Sequence, residues 1–123
     1  VSTGLRNLLA IIGFIIVLFW AISVAKSDAA PRPVPLVICD VFGPRCAPAM
    51  RVAWCESRLR PDAVSRTSDV GVFQINYAAH RKRGESFSAF KRRFFDVRKN
   101  VEFAYRLSRG GTNWAHWTCR WAA

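Results

Sequence analysis

The sequence predicts a mostly α-helical small domain preceded by an N-terminal hydrophobic helix. Three observations carry that expectation. Beyond residue 47, apolar side chains recur at helical spacing in three separate stretches. Pro, Gly and Asp stand where those stretches would begin and end. All four cysteines lie after the hydrophobic run, as in a small exported domain stapled by disulfides. A chain of 123 residues has room for one such domain.

The first element is Leu8–Ala25, 18 residues without a charge and with Ser23 as the one polar side chain. That is long enough to cross a membrane. Ser27-Asp28-Ala29 also offers small residues at the two positions a signal peptidase reads, so two readings stand, a cleaved signal and a retained anchor. Arg6 on one flank and Lys26 and Arg32 on the other leave orientation undecided by charge. Residues 1–29 are assigned to a signal peptide or membrane anchor, 30–46 to a linker with a small cysteine loop, and 47–123 to the folded domain. Ala30–Pro35, APRPVP, reads as a stiff extended spacer. Leu36–Val41 reads as a strand or an extended lead-in, stopped by Gly43-Pro44.

Cys39, Cys46, Cys55 and Cys119 are an even set, which allows two disulfides in three connectivities. The favoured pairing joins Cys39 to Cys46 around a small loop and Cys55 to Cys119 across the domain. The second would contribute on the order of 4 kcal/mol if unstrained. A zinc site with His80 or His116 is the rival use of these side chains, but neither Cys-x-x-Cys nor His-x-x-x-His spacing occurs. No metal and no cofactor are expected. Disulfides imply an exported protein, extracellular or in the cell envelope, either secreted or held by its N-terminal helix.

The next element is a helix over Pro48–Leu59, with Pro48 in its first turn and Pro61 ending it. At about 100° per residue, Arg51 and Arg58 share a polar stripe while Met50, Val52, Ala53, Trp54, Cys55 and Leu59 cover the rest. Such a helix is expected to be buried on most sides. Glu56 then lies between Val52 and Leu59 on one flank and Ala53 on the other. A carboxylate there loses water and its pKa rises, which is what a general acid at neutral pH requires. The plainer account, an ion pair with Arg58, Arg60 or Arg66, fits less well. Near a helix C-terminus the dipole disfavours an acid, and the neighbours are apolar.

Asp62–Val70 is a polar loop. Its Asp69 has two readings of equal weight, a second acid or a turn former ahead of Gly71. Gly71–Tyr77 reads as a short strand or the start of a helix. Ala78–Phe95 is densely basic, and Phe87, Phe90 and Phe94 make Ser86–Phe95 a short amphipathic helix with its rings inward. Asp96 is placed to cap a further helix in which Val97, Val101, Ala104 and Leu107 share a face, stopped by Gly110-Gly111. Trp114, Trp117 and Trp121 crowd the tail, where packing explains most of them and at most one is left for substrate.

Trp54–Asn76, WCESRLRPDAVSRTSDVGVFQIN, resembles the core of the lysozyme-like superfamily, which includes the lytic transglycosylases and several lysozymes. The likeness runs from about Pro48 to Trp121, through FDVRKNVEFAYRL to WAHWTC. The resemblance implies that Glu56, in the Glu-Ser pair, is the catalytic acid and base. It also implies that Gly71, Gln74 and Asn76 line a sugar groove with Ser65 beside it. The implied substrate is peptidoglycan, cut at the β-1,4 link between N-acetylmuramic acid and N-acetylglucosamine.

Two mechanisms follow from the resemblance. In lytic transglycosylases one glutamate serves as acid and then base, and the muramyl 6-hydroxyl closes an anhydro ring. In hydrolytic members a second acid, here Asp69, supports the oxocarbenium-like centre. The first is preferred, because the short gap between Glu56 and Asp69 leaves little chain for a β-hairpin to carry a second carboxylate. The chain lacks the Tyr-Asn-Ala-Gly segment that supplies a steadying tyrosine in many transglycosylases. Residues 31–123 carry 17 Lys and Arg against 7 Asp and Glu, a net +10. That surface seeks polyanions such as wall polymers, stem-peptide carboxylates or anionic lipid headgroups. Nucleic acid is not expected of an exported disulfide protein without a nucleic-acid fold signature. A membrane partner enters through the N-terminal segment if it is uncleaved. The alternative of another class is a non-catalytic cationic module that binds wall or membrane.

Overall fold

In the computed structural model, residues 29–123 are described, and the expected N-terminal hydrophobic helix lies outside them. Among the described residues, no helix is long and apolar enough to cross a membrane. The domain is mostly helical with one two-stranded sheet.

Helix α1, Val34–Phe42, occupies the stretch where the sequence predicts a strand or lead-in. The correction has a physical reason. Val34, Val37, Ile38, Val41 and Phe42 fall on one face at helical spacing, and Val37, Ile38 and Phe42 are buried. Pro35 does not prevent the helix because it sits in the first turn, where a backbone N–H has no intrahelical partner anyway. Gly43 ends α1 with φ 53, and a single 3-10 turn, Gly43–Arg45, leads into α2, Cys46–Ser57. The Cys39–Cys46 disulfide joins the two helices at this corner, with 4.6 Å between Cα atoms.

Helix α2 is less enclosed than its composition implies, and it begins and ends two residues earlier than the expected Pro48–Leu59. It buries Ala49, Val52, Ala53 and Ser57, whereas Trp54 is 52% exposed with the Arg58 guanidinium over its ring. The helix stops at Ser57 because Arg58 and Leu59 both take left-handed conformations, φ 56 and 62, ahead of Pro61. Glu56 therefore lies in the last turn.

The loop that follows closes on a β-hairpin. Strand β1, Asp69–Val70, pairs antiparallel with β2, Ile75–Asn76, setting Asp69 opposite Asn76 and Val70 opposite Ile75. The hairpin starts at Asp69 itself and so lies beyond the stretch between Glu56 and Asp69 whose shortness set the expectation. Helix α3, Tyr77–His80, starts at once, capped by the Asn76 side chain accepting from Ala79 N at 3.0 Å.

Helices α4, Phe87–Phe94, and α5, Val97–Leu107, lie where the pattern places them. Ser86 caps α4 through Ala89 N, and Asp96 caps α5 through Lys99 N. Phe90, Phe94, Val101 and Ala104 enter the core. Phe42, Phe73, Trp114 and Trp117 form an aromatic cluster with centroid separations between 5.0 and 6.4 Å. Two of the three tail tryptophans are thereby packing residues, and Trp121 stands 77% exposed.

One polar residue ties the hairpin to this core. Asn100 is fully buried on α5, accepting from Phe73 N at 2.9 Å and donating to Val70 O at 2.9 Å and Phe94 O at 3.0 Å. Gly71 packs directly on it. A Cβ there would sit 2.3 Å from Asn100 Nδ2 and 2.5 Å from Phe94 O. The glycine expected to line a groove is instead buried, and its lack of a side chain lets the hairpin turn approach α4 and α5.

Candidate active site

The second disulfide, Cys55–Cys119, brings the C-terminal tail across the end of α2. It leaves Cys119 N within 2.9 Å of Glu56 Oε1, to which it donates. Glu56, Asp69, Gln74 and Asn76 line one cleft, whose tail side is formed by His116, Trp117 and Thr118. Trp117 is held there by its indole N–H donating to Phe73 O at 2.8 Å. The cleft is about 80 Å³.

The two carboxyl groups facing this space are driven apart. Burial raises the Glu56 pKa above its ordinary value; the N–H bonds from Cys119 and Thr118 oppose that rise, and the Asp69 charge adds to it. Burial also pushes Asp69 upward, but side-chain bonds from Ser65, Thr67 and Asn76 outweigh it and hold this group below the usual carboxylate value. Ser65 Oγ donates to Asp69 Oδ2 at 2.6 Å, Thr67 Oγ1 donates to the same oxygen, and Asn76 Nδ2 donates to Oδ1 at 2.8 Å.

The other expected site residues are placed unequally. Ser65 belongs to the Asp69 loop, where its hydroxyl also accepts from Asp69 N at 3.0 Å. Asn76 reaches the cleft but is occupied by Asp69, Thr67 O and the cap of α3. Gln74, at φ 51, donates its amide to Gly71 O at 2.9 Å and Ala63 O at 3.3 Å, which leaves its carbonyl oxygen as the group it can offer a ligand. All four cysteines are taken up in the favoured disulfide pairing.

His80, His116 and Leu107 also line the cleft, a role the sequence reading did not give them. Burial, then the charges of His116 and Arg93, hold the His80 pKa below its ordinary value. His80 was within reach of inference, since it follows Asn76 by one helical turn. His116 was not, because only the tail's path over Glu56 brings it in. A carboxyl whose pKa is raised, facing one whose pKa is lowered in the same cleft, is an arrangement that acid-assisted glycoside cleavage can use.

No curated protein and no solved structure matches the chain. The family model described as Lysozyme like domain matches residues 42–119, more than half of the chain and every residue named in the cleft. That family points to peptidoglycan cleavage in general, as a glycosidase or a transglycosylase. The chain belongs to the lysozyme-like domain family.

Proposed function

We propose that the domain is a lytic transglycosylase cutting the β-1,4 bond between N-acetylmuramic acid and N-acetylglucosamine, with Glu56 as its single acid and base. The observation that carries this reading is the difference between the two carboxyl groups. Glu56 is biased toward its protonated form. Asp69 is ionised and bonded to three side-chain donors, which leaves little of it to attack carbon. In the proposed reaction Glu56 gives its proton to the glycosidic oxygen and the bond from that oxygen to muramyl C1 breaks. The Glu56 carboxylate then takes the proton of the muramyl 6-hydroxyl, whose oxygen closes on C1. The Asp69 charge across the cleft favours the positive centre formed between the steps.

Asp69 faces the same cleft, and this supports a second reading in which it assists attack by water. The two readings differ in their products by one water. Mass spectrometry of digested peptidoglycan is expected to find 1,6-anhydromuramyl ends that persist in Asp69→Asn. Reducing ends that disappear in Asp69→Asn would establish hydrolysis instead. A cationic wall-binding module without catalysis is tested by Glu56→Gln. Loss of clearing with retained binding marks an enzyme, and binding without clearing in the wild type marks a module.

A further inference from the structure

Beside the cleft lies a second groove of about 450 Å³, lined by Lys82, Arg93, Lys99, Arg106, Glu102 and Phe103. Its charges are not equally available. Arg93 is engaged by Glu85 in a two-pronged pair at 2.6 and 2.9 Å, and Glu102 by Arg98 at 2.9 Å. Among the described residues Lys82 and Arg106 have no ion pair, and Lys99 has only Asp96 at 3.9 Å, with both side chains well exposed. Three cationic side chains without a close ion pair therefore line the groove, Lys82 also within the field of Glu85.

The groove and the cleft share a thin wall. His80 lines the cleft, Phe103 lines the groove, and their rings meet edge to face at 5.1 Å. Arg93 adds a bond to His80 O at 3.4 Å. A glycan strand lying across the cleft is itself neutral, but its muramyl units carry peptide stems that bear carboxylates. Those stems project from the strand, and a groove one ring away lies within their reach. We propose that this basic groove binds stem carboxylates and makes the enzyme favour stem-bearing strands over bare glycan. The proposal rests on the glycan-cleaving reading of the cleft. Covalent attachment to the bound strand raises the effective concentration of a stem carboxylate at the groove, an advantage that a separate anionic polymer lacks.

The test compares phosphate-free, stem-bearing strands with the same strands after amidase has removed the stems and the lactyl carboxylates this exposes have been converted to amides. It uses the full chain and the variant Lys82→Ala/Lys99→Ala/Arg106→Ala. Exposed ion pairs contribute up to a few-fold each, so the wild type is expected to favour stem-bearing strands on the order of tenfold in kcat/KM at low salt. Screening in about 0.5 M salt should bring that ratio toward one, and the triple variant should show no preference. Equal cleavage of both substrates by the wild type, or a preference kept by the triple variant, overturns the proposal. A readout without catalysis separates this from failure of the cleft reading. NMR titration with free anionic stem peptide is expected to shift resonances of Lys82, Lys99 and Arg106 in the wild type, even if neither strand is cut. Absence of those shifts overturns the groove on its own.

Discussion

Replacing Asn100 with Ala removes the side chain that joins the hairpin to α4 and α5. The deletion leaves Phe73 N, Val70 O and Phe94 O without the partners they have at 2.9 to 3.0 Å. The site is fully buried. A buried donor or acceptor left unsatisfied costs about 1–3 kcal/mol, carbonyls less than N–H groups. Partial relaxation and water entry offset some of the sum, giving an expected loss of about 3–5 kcal/mol. A domain of this kind has about 5–15 kcal/mol in total, so the variant is expected to be folded but marginal. Urea denaturation measures it directly, and Asn100→Asp should fare no better, since a carboxylate would face two carbonyl oxygens. A loss under about 1 kcal/mol, with an unchanged m-value, would refute the reasoning by showing that the hairpin holds its place without this side chain.

Three further outcomes follow from the charges and the staples. Glu56→Gln should lower peptidoglycan clearing by about 10²–10⁴-fold while raising the melting temperature at neutral pH. A raised folded-state pKa gives stability that is present at low pH and lost as pH rises through it, a loss Gln avoids; wild-type clearing should fall over the same rise, and an unchanged pH profile in Glu56→Gln would contradict both. Arg93 draws the Glu85 pKa down to about 2, so the stability from that pair is present above the ordinary Glu value of 4.5 and lost as pH falls toward 2. Acid titration of Glu85→Gln should show a shallower loss than wild type. Reduction of both disulfides should cost several kcal/mol, chiefly through Cys55–Cys119 because of its 64-residue separation. Equal melting of oxidised and reduced protein would contradict this.

Which parts of the domain were legible in its sequence depends on where the information lies. Helices α4 and α5 were legible because their caps and apolar stripes are local: Ser86, Asp96, and the Phe and Val positions all act within a turn or two. Helix α1 was hidden by its prolines, although its apolar spacing is as regular. What decides there is that Pro35 falls in the first turn rather than the interior. The exposure of Trp54 was not readable from a wheel of α2, because it depends on which neighbours arrive, and among the described residues they leave it half exposed. Asn100 carries no local mark of its role, since its partners stand 6, 27 and 30 residues away. Glu56 was legible as an acid among apolar positions, while the groups that surround it come from the tail.

The tail also bears on what steadies the acid. The Tyr-Asn-Ala-Gly segment that supplies a tyrosine for this purpose in many transglycosylases is missing here. In this chain the donor to Glu56 is a backbone N–H, that of Cys119. That residue is covalently fastened to Cys55, the immediate neighbour of Glu56 on α2. Stapling the domain and holding the carboxyl thus fall to one connection. The same connection brings Trp117 and Thr118 over the cleft and so contributes to the burial that biases Glu56 toward its protonated form. On the proposed mechanism the protein needs Cys55–Cys119 twice, once for stability and once to set the surroundings of Glu56, where burial raises its pKa and the Cys119 N–H partly opposes that rise. Asp69, in contrast, is held ionised by groups from its own loop and hairpin, Ser65, Thr67 and Asn76, none of which depends on the tail. The two carboxyl groups are therefore set by separate parts of the chain, and loosening the tail should disturb the acid while leaving the opposing charge in place.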